Sequence, residues 1–126
     1  MMSERRVLVR YRDETEKTRC PYGDVARVVT GGDGGVANVH VVRVTEGGRH
    51  FHAGYDEVYY VLSGDGVVLI GDERFELRPG AVAVIPRGVP HSLAADPGDV
   101  LEFIIFGTPA VSVDDDCARP RKRAVR

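Results

Sequence analysis

The sequence predicts an all-β fold, either a sandwich or a barrel. Short runs rich in β-branched and aromatic residues recur along the chain, and these residue types favour the pleated conformation. The clearest runs are residues 7–9, 39–44, 58–62 and 66–70. Glycine and proline separate the runs at close intervals, and no stretch of helical length carries an uninterrupted apolar stripe at helical period. Many short strands at this spacing are typical of a sandwich or barrel.

The composition fits a soluble globular protein. The chain has 126 residues, 43% of them hydrophobic, and a formal net charge of −2, whereas disorder requires lower hydrophobicity and a larger net charge. No apolar run approaches the roughly 20 residues of a membrane helix, and the N-terminal segment is too charged for a secretory signal. Cys20 and Cys117 show no CxxC spacing and receive no role, which favours a reducing, cytoplasmic setting.

Basic residues are concentrated at the C-terminal end. Residues 119–126 hold five of the 17 basic side chains and no acidic one. We therefore divide the chain into one β-barrel domain at residues 1–118 and a basic, disordered tail at 119–126. Because neither a basic stripe nor stacking aromatics extend into the body, we expect no nucleic-acid partner, and we expect no membrane partner either.

Two of the four histidines form an HxH pair. His50 and His52 lie in an extended segment, where residues at i and i+2 project from the same face, so both imidazoles can bind one cation. Taken alone, the pair is more typical of solvated or packed histidines than of a metal site. Glu57 follows after a segment containing Gly54, which can reset the facing by a turn or bulge, and Asp56 is the competing carboxylate. Two imidazoles and one carboxylate suit Fe(II), Mn(II), Zn(II) or Ni(II) and leave positions open for water or substrate.

A rigid loop precedes His91. Residues 86–90 contain two prolines and a glycine, which restrict the backbone and permit a tight turn. The loop therefore delivers His91 at the start of a strand as a candidate fourth ligand. Pre-positioning of this kind lowers the ordering entropy that metal binding costs.

Taken together, these residues match the two motifs of the cupin family. The motifs, written with their spacing, are His50-x-His52-x4-Glu57-x6-Gly64 and Gly80-x5-Pro86-x-Gly88-x2-His91. The chain departs from the family pattern at Val44 and Ala95, where a glycine and an asparagine are expected, and neither position is a metal ligand in the family. The chain thus resembles a small, single-domain, metal-binding cupin.

The resemblance implies an antiparallel double-stranded β-helix, the jelly-roll barrel of cupins, with a short N-terminal strand around residues 6–11. It also implies one divalent metal ion per chain (Mn, Fe, Zn or Ni), held by His50, His52, Glu57 and His91. The alternative is a cupin whose histidines are merely packed. Small cupins pair as dimers, so we expect a homodimer in which residues 6–11 add a strand to the partner's sheet edge.

Strand alternation from these ligands predicts which side chains line the barrel. The expected lining residues are Tyr59, Val61, Leu93, Ala95, Phe103 and Ile105. Tyr59 is the candidate catalytic residue, as hydrogen-bond partner or proton donor, with a barrel-wall aromatic as the alternative. His40 is either a base in the pocket or a surface histidine, and Arg43 and Arg87 are either anchors for a substrate carboxylate or solvated side chains.

The expected function is metal-dependent chemistry on a small organic acid, enol or sugar-like substrate. The metal acts as a Lewis acid towards vicinal oxygens, and the resemblance implies a dioxygenase, a decarboxylase, or an isomerase or cyclase. A sugar-phosphate isomerase is disfavoured, because no cluster of Lys and Arg lies beside the ligands. The alternative is a non-catalytic module that binds or senses a small ligand, and substrate turnover separates the two.

Overall fold

The computed structural model describes residues 6–20 and 23–111. These residues form ten β-strands and two short 3-10 turns, Arg12–Glu14 and Gly31–Asp33, and they contain no α-helix. The strands are β1 (Lys17–Cys20), β2 (Gly23–Val29), β3 (Asn38–Val44), β4 (Glu46–His50), β5 (Asp56–Ser63), β6 (Gly66–Ile70), β7 (Glu73–Leu77), β8 (Val82–Ile85), β9 (His91–Ala95) and β10 (Leu101–Thr108). Cys117, the boundary at residue 118 and the predicted tail at 119–126 lie outside the described residues. Neither helical turn is long and apolar enough to cross a membrane.

The strands assemble into two antiparallel sheets. The larger has the order β1-β2-β3-β10-β5-β8 and the smaller the order β4-β9-β6-β7. Several strands that pair in the sheets are distant in the sequence. For example, β10 pairs with β3 on one side and with β5 on the other. The predicted all-β fold and its jelly-roll arrangement are confirmed.

The core lies between the two sheets and contains side chains from both. Its buried members are Val42, Val44, Tyr59, Val61, Val68, Leu77, Ile85, Leu93, Leu101 and Phe103. Each large side chain of this kind contributes roughly 1.5–3 kcal/mol when fully buried. Of the six predicted lining residues, Tyr59, Val61, Leu93 and Phe103 belong to this core, while Ala95 and Ile105 pack against it partly buried.

The predicted strand around residues 6–11 is wrong for the single chain. The first strand is β1, and the segment before it lacks strand pairing within the described residues. It is held to the loop after β2 by separate contacts: the Arg6 amide donates to the Gly34 carbonyl (3.2 Å), and Arg10 Nη1 donates to Asp33 (2.9 Å). A strand requires a series of backbone hydrogen bonds to a neighbouring strand, and the segment does not form such a series within the described residues.

Candidate metal centre

The three motif histidines meet where β4 and β9 pair. His50 ends β4 and lies directly opposite His91, the first residue of β9, while His52 lies two residues beyond β4. The ring centroid of His50 lies 4.9 Å from that of His52 and 4.5 Å from that of His91. One nitrogen from each of the three rings lies within 4.8 Å of the others. The three histidines could therefore hold one metal ion.

Glu57 approaches this cluster from the other sheet. It is buried on β5, with 5% of its surface exposed. Its Oε1 lies 3.4 Å from His91 Nε2 and its Oε2 lies 3.6 Å from His52 Nε2. Burial raises the pKa of Glu57, but the contact with His91 and the neighbouring imidazoles outweigh it, so the pKa is lowered overall. A carboxylate in this position is ionised and faces two imidazoles.

Asp56, the competing carboxylate, is placed elsewhere. Its Oδ1 accepts a hydrogen bond from the Arg87 amide (2.9 Å), and its Oδ2 accepts one from Arg87 Nη2 (3.1 Å). These hydrogen bonds with Arg87 lower the pKa of Asp56. Asp56 therefore joins β5 to the loop that carries His91. Of the two neighbouring carboxylates, it is Glu57 that faces the histidines.

The hydrogen bonds of the histidines fix their tautomers. The Nδ1 atoms of His50 and His91 lie 2.7 Å and 3.0 Å from the carbonyl oxygens of Gly48 and Val89. Because a carbonyl only accepts, Nδ1 carries the proton and Nε2 carries the lone pair in both rings. Burial lowers the pKa of His50 to about 4, so its imidazole is neutral at pH 7.

The Nε2 atom of His91 shows that a cation fits this cluster. This atom is buried and makes no hydrogen bond within the described part of the chain. Its lone pair lies beside the ionised Glu57 carboxylate, an arrangement that is costly unless a positive charge lies between them. Imidazole nitrogens and a carboxylate oxygen are the donor set that divalent Mn, Fe, Ni and Zn accept.

Tyr59 lies next to the cluster on the inner face of β5. Its Oη donates a hydrogen bond to Glu57 Oε1 at 3.3 Å, and its ring packs against Phe103 with centroids 4.9 Å apart. Burial, followed by the charge of Glu57, raises the pKa of Tyr59 well above its usual value. Tyr59 therefore keeps its proton and is both a hydrogen-bond partner of Glu57 and a wall of the barrel.

Tyr55 was missed by the sequence analysis. Its Oη lies 2.9 Å from His52 Nδ1, and the two rings are stacked with centroids 4.7 Å apart. The Tyr55 hydroxyl and His52 Nδ1 share a hydrogen bond whose donor is set by the tautomer of His52, and this bond orients the ring with Nε2 towards Glu57. The available signal was an aromatic residue in the short segment between His52 and Glu57, a segment that the sequence analysis treated only as a turn.

The loop before His91 is bound to the HxH segment. The Gly88 amide donates to the His52 carbonyl at 2.7 Å, and the Val89 amide donates to the Pro86 carbonyl at 3.2 Å. Together with the hydrogen bonds between Asp56 and Arg87, these contacts connect all the segments that carry the cluster. The loop is thus pre-positioned, as its prolines predicted.

Three further candidates were Arg43, Arg87 and His40, and only His40 lies on the inner face of the larger sheet. Arg87 is engaged by Asp56 and Arg43 is exposed on the outer face of β3, opposite Glu102, so neither faces the cluster as a carboxylate anchor. His40 lies on the inner face of β3, in register with Ile105, and its Nε2 is buried. The interpretation of His40 as a surface residue is therefore wrong. Its neighbour on β2 is Arg27, whose Nε is also buried.

A family model described as a cupin domain matches residues 38–114. The chain belongs to the cupin family. The match contains both histidine-bearing segments and Glu57, and it covers all strands from β3 to β10.

Two curated relatives of this cupin are named as uncharacterised proteins. MJ1618 of Methanocaldococcus jannaschii is 30% identical over 66 residues, which are 52% of this chain and 53% of that protein. SCO3923 of Streptomyces coelicolor is 33% identical over 54 residues, which are 43% of this chain and 51% of that protein. The chain thus spans about half the length of the curated relatives it matches.

Solved structures with the same fold are enzymes of several kinds. The polyketide cyclase RemF of Streptomyces resistomycificus has a TM-score of 0.68 at 21% identity, covering 88% of this chain and 89% of that chain. Ectoine synthase of P. lautus has a TM-score of 0.71 at 17% identity, with coverages of 84% and 80%. A mutant of Bacillus subtilis oxalate decarboxylase has a TM-score of 0.71 at 17% identity, with coverages of 81% and 30%. At these identities the likeness is one of fold.

Proposed function

We propose that this cupin is a metal-dependent enzyme with one divalent ion (Mn, Fe, Zn or Ni), held by His50, His52, Glu57 and His91. The observation that carries the proposal is the convergence of the histidines, two of which have their Nδ1 protons bound to backbone carbonyls. Their Nε2 lone pairs are thereby held ready before any ion binds, which lowers the cost of ordering the site.

When bound, the ion supplies Lewis-acid activation of substrate oxygens. The protein supplies the rest. Tyr59 holds a proton at Oη, next to the Glu57 carboxylate, and can donate it to a substrate atom that develops negative charge. Leu93, Phe103 and Ile105 surround the site with apolar surface, which excludes water and strengthens the polar interactions inside.

The substrate class that we propose is a small organic acid, an enol or a sugar-like molecule. The inner faces of the two sheets are mostly apolar around the few polar side chains of the cluster, as is typical of sites for small molecules. The reactions to be tested are oxygenation, decarboxylation and isomerisation or cyclisation.

The experiment that tests the metal site compares His52→Ala with His40→Ala. The His52 variant should bind Mn(II), Co(II) or Zn(II) more than about 100-fold more weakly, because it loses a ligand. His40 lies on the inner face but outside the cluster of three, so its variant should keep the affinity of the wild type. Metal content by elemental analysis and titration calorimetry give the readout. Equal metal affinity in the His52 variant and the wild type would refute the ligand assignment.

Turnover is tested separately on the metal-loaded wild type. Oxygen uptake, CO₂ release and substrate loss are followed over a panel of small acids, enols and sugars. Turnover that is lost in the His52 variant supports the enzyme. Tight binding of a panel member without any turnover favours the alternative, a non-catalytic ligand-binding cupin.

A further inference from the structure

The open side of the candidate metal centre lies along β4. The side chains of His91 and Glu57 are only 2% and 6% exposed, whereas that of His52 is 20% exposed and His50 is half-buried. His91 and Glu57 therefore form the deep wall of the cluster. A molecule from solvent reaches an ion there from the side of His50, which ends β4, and of His52, which lies two residues beyond it.

Gly47 lies on the inner face of β4, one row away from the histidines. It is in register with Leu93, which belongs to the buried core, so both positions face the interior. Among the described residues, a Cβ at Gly47 would meet only the side chain of Leu93, at 3.7 and 3.8 Å, which is ordinary van der Waals contact. Leu93 and His91 are two residues apart on β9, a distance of about 7 Å. The inner face of β4 thus leaves space beside the ion site.

Neither backbone conformation nor packing requires a glycine at Gly47. Its φ does not lie in the left-handed region, and the bulge of β4 comes after it, between Gly47 and His50. Other strand glycines are explained by close contacts: a Cβ at Gly66 would lie 2.3 Å from a backbone oxygen of β9, and one at Gly107 would lie 3.3 Å from the Tyr55 ring. A glycine in a strand costs stability, and one without such a contact is typical of a place where a ligand approaches the backbone.

The strands that face β4 belong to the larger sheet. β9 lies across from β5, because Glu57 contacts His91. β4 is the neighbour of β9 and is joined to β3 by Thr45 alone, so it lies on the side of β3. The inner face of β4 therefore faces β10 and β3.

Ile105 on β10 indicates that the space in front of β4 is open. It is in register with Tyr59, so it points inward, yet it is only partly buried. By contrast, Phe103, two residues away on the same strand, is 3% exposed. Because β10 is enclosed by β3 and β5, an inward side chain on it is accessible only where the interior is not filled. His40, in register with Ile105 on β3, is half-buried as well.

We propose that the space bounded by Gly47, Leu93, Ile105 and His40, the Gly47 pocket, holds the part of the substrate that does not touch the ion, and that Gly47 limits the size of this part. Since the proposal rests on the proposed function, it narrows the substrate class given there. Leu93 and Ile105 present apolar surface to the pocket, with the His40 imidazole at one side. A sugar-like molecule would bury several hydroxyl groups against this surface, which is costly. The favoured substrate is an organic acid or enol with an apolar substituent, whose oxygens face the ion.

The pocket itself is tested on the metal-free protein. Gly47→Ala should unfold at the same temperature as the wild type or higher, because alanine costs less than glycine in a strand and its Cβ clashes with nothing described. In a background with Cys20 and Cys117 replaced by serine, the thiol introduced by Gly47→Cys should react with benzyl methanethiosulfonate in the folded protein. Its rate should lie within about 100-fold of that of Glu46→Cys, an exposed position on the outer face of the same strand.

The role of Gly47 is tested by ligand binding to the Co(II)-loaded protein, followed by its visible absorption spectrum. The probes are pyruvate and α-ketoisocaproate, which present the same pair of vicinal oxygens but carry a methyl and an isobutyl group. The wild type should bind α-ketoisocaproate about 10-fold more tightly, because the isobutyl group buries more apolar carbon. Gly47→Val should abolish this preference and leave the affinities for pyruvate and Co(II) unchanged. Glu46→Val is the matched control and should keep the preference.

The possible failures are distinguishable. A Gly47→Ala variant of clearly lower unfolding temperature, or a Gly47→Cys thiol that stays unreactive while the Glu46→Cys thiol reacts, would show that the pocket does not exist. A wild type without the preference, or a preference that survives in Gly47→Val, would overturn the role of Gly47. A Co(II)-loaded wild type that binds neither acid would refute the substrate class and leave the metal site intact. A wild type that binds no Co(II) would refute the proposed function and the substrate assignment together, while the thiol reactions still report on the pocket.

Discussion

Replacement of Tyr55 by phenylalanine isolates one hydrogen bond at the candidate metal centre. The change removes the Oη that lies 2.9 Å from His52 Nδ1 and leaves the ring stacked on the imidazole at 4.7 Å. One hydrogen bond of this kind contributes about 0.5–1.5 kcal/mol. Since the bond holds His52 with its Nε2 towards Glu57, the loss should fall on metal binding. We expect an affinity about 10-fold lower, the lower end of the range for groups that support metal ligands.

The assay is competition of the protein with a chelator for Zn(II) or Co(II), together with thermal unfolding of the metal-free protein. Tyr11→Phe is the matched control, because Tyr11 is 62% exposed and lies in the N-terminal segment, outside the strands that carry the histidines. The reasoning fails if Tyr55→Phe binds metal as tightly as the wild type. It also fails if the variant loses as much metal affinity as a Tyr55→Ala variant that lacks the stacked ring, because the ring and the hydroxyl would then have no separate roles.

Two further predictions concern the scaffold. Gly64→Ala should destabilise the protein by more than about 2 kcal/mol in urea unfolding, because Gly64 has φ +90° and an added Cβ would lie 2.0 Å from the Val100 carbonyl oxygen. Gly54→Ala, where a Cβ meets nothing within 4 Å, should be nearly neutral, and an equal effect at both positions would contradict the steric explanation. Asp33→Asn should cost about 0.5 kcal/mol at pH 7, because it removes the charge that pairs with Arg10 Nη1 at 2.9 Å and keeps an oxygen for the Thr30 amide. Burial raises the pKa of Asp33, but hydrogen bonds from Arg10 and the Thr30 amide outweigh it and lower the pKa overall. The difference in free energy of unfolding between variant and wild type should therefore shrink as the pH falls below about 4 and the carboxylate is protonated. A difference that is constant from pH 7 to pH 3 would show that the charge is not responsible.

The fold was predictable where local pattern and burial agree. The run at 58–62 is apolar on both faces, and β5 is indeed buried on one face by the core and flanked by β10 and β8. The motif glycine Gly64 was predictable as a turn, and its positive φ explains why a side chain does not fit there. The segment at 6–11 has the same β-branched pattern, but β-propensity does not provide a neighbouring strand, and among the described residues this segment pairs with none.

The sequence predicted which residues form the candidate site, but not on which face of its strand each side chain lies. Spacing brought His50, His52 and His91 into consideration, and the pairing of β4 with β9 brings them together. Spacing left Asp56 and Glu57 open, because a bulge or turn between the histidines and β5 hides the parity of the strand. Pairing across sheets is a long-range property, and for that reason the sequence also left the facing of His40 open.

The ligand candidates come from different sheets, and this has a consequence for stability. His50 and His91 belong to the smaller sheet, whereas Glu57 belongs to the larger one. Glu57 lies 3.4 Å from His91 Nε2 and 3.6 Å from His52 Nε2, distances that are too long for good hydrogen bonds. An ion bound by all four side chains would connect the two layers at this point, and it would bind the folded state alone because the unfolded chain does not assemble the cluster. Its free energy of binding would then add to the free energy of unfolding, by about 2.7 kcal/mol at a free-ion concentration 100 times the Kd. An ion held in this geometry would therefore also hold the two sheets together.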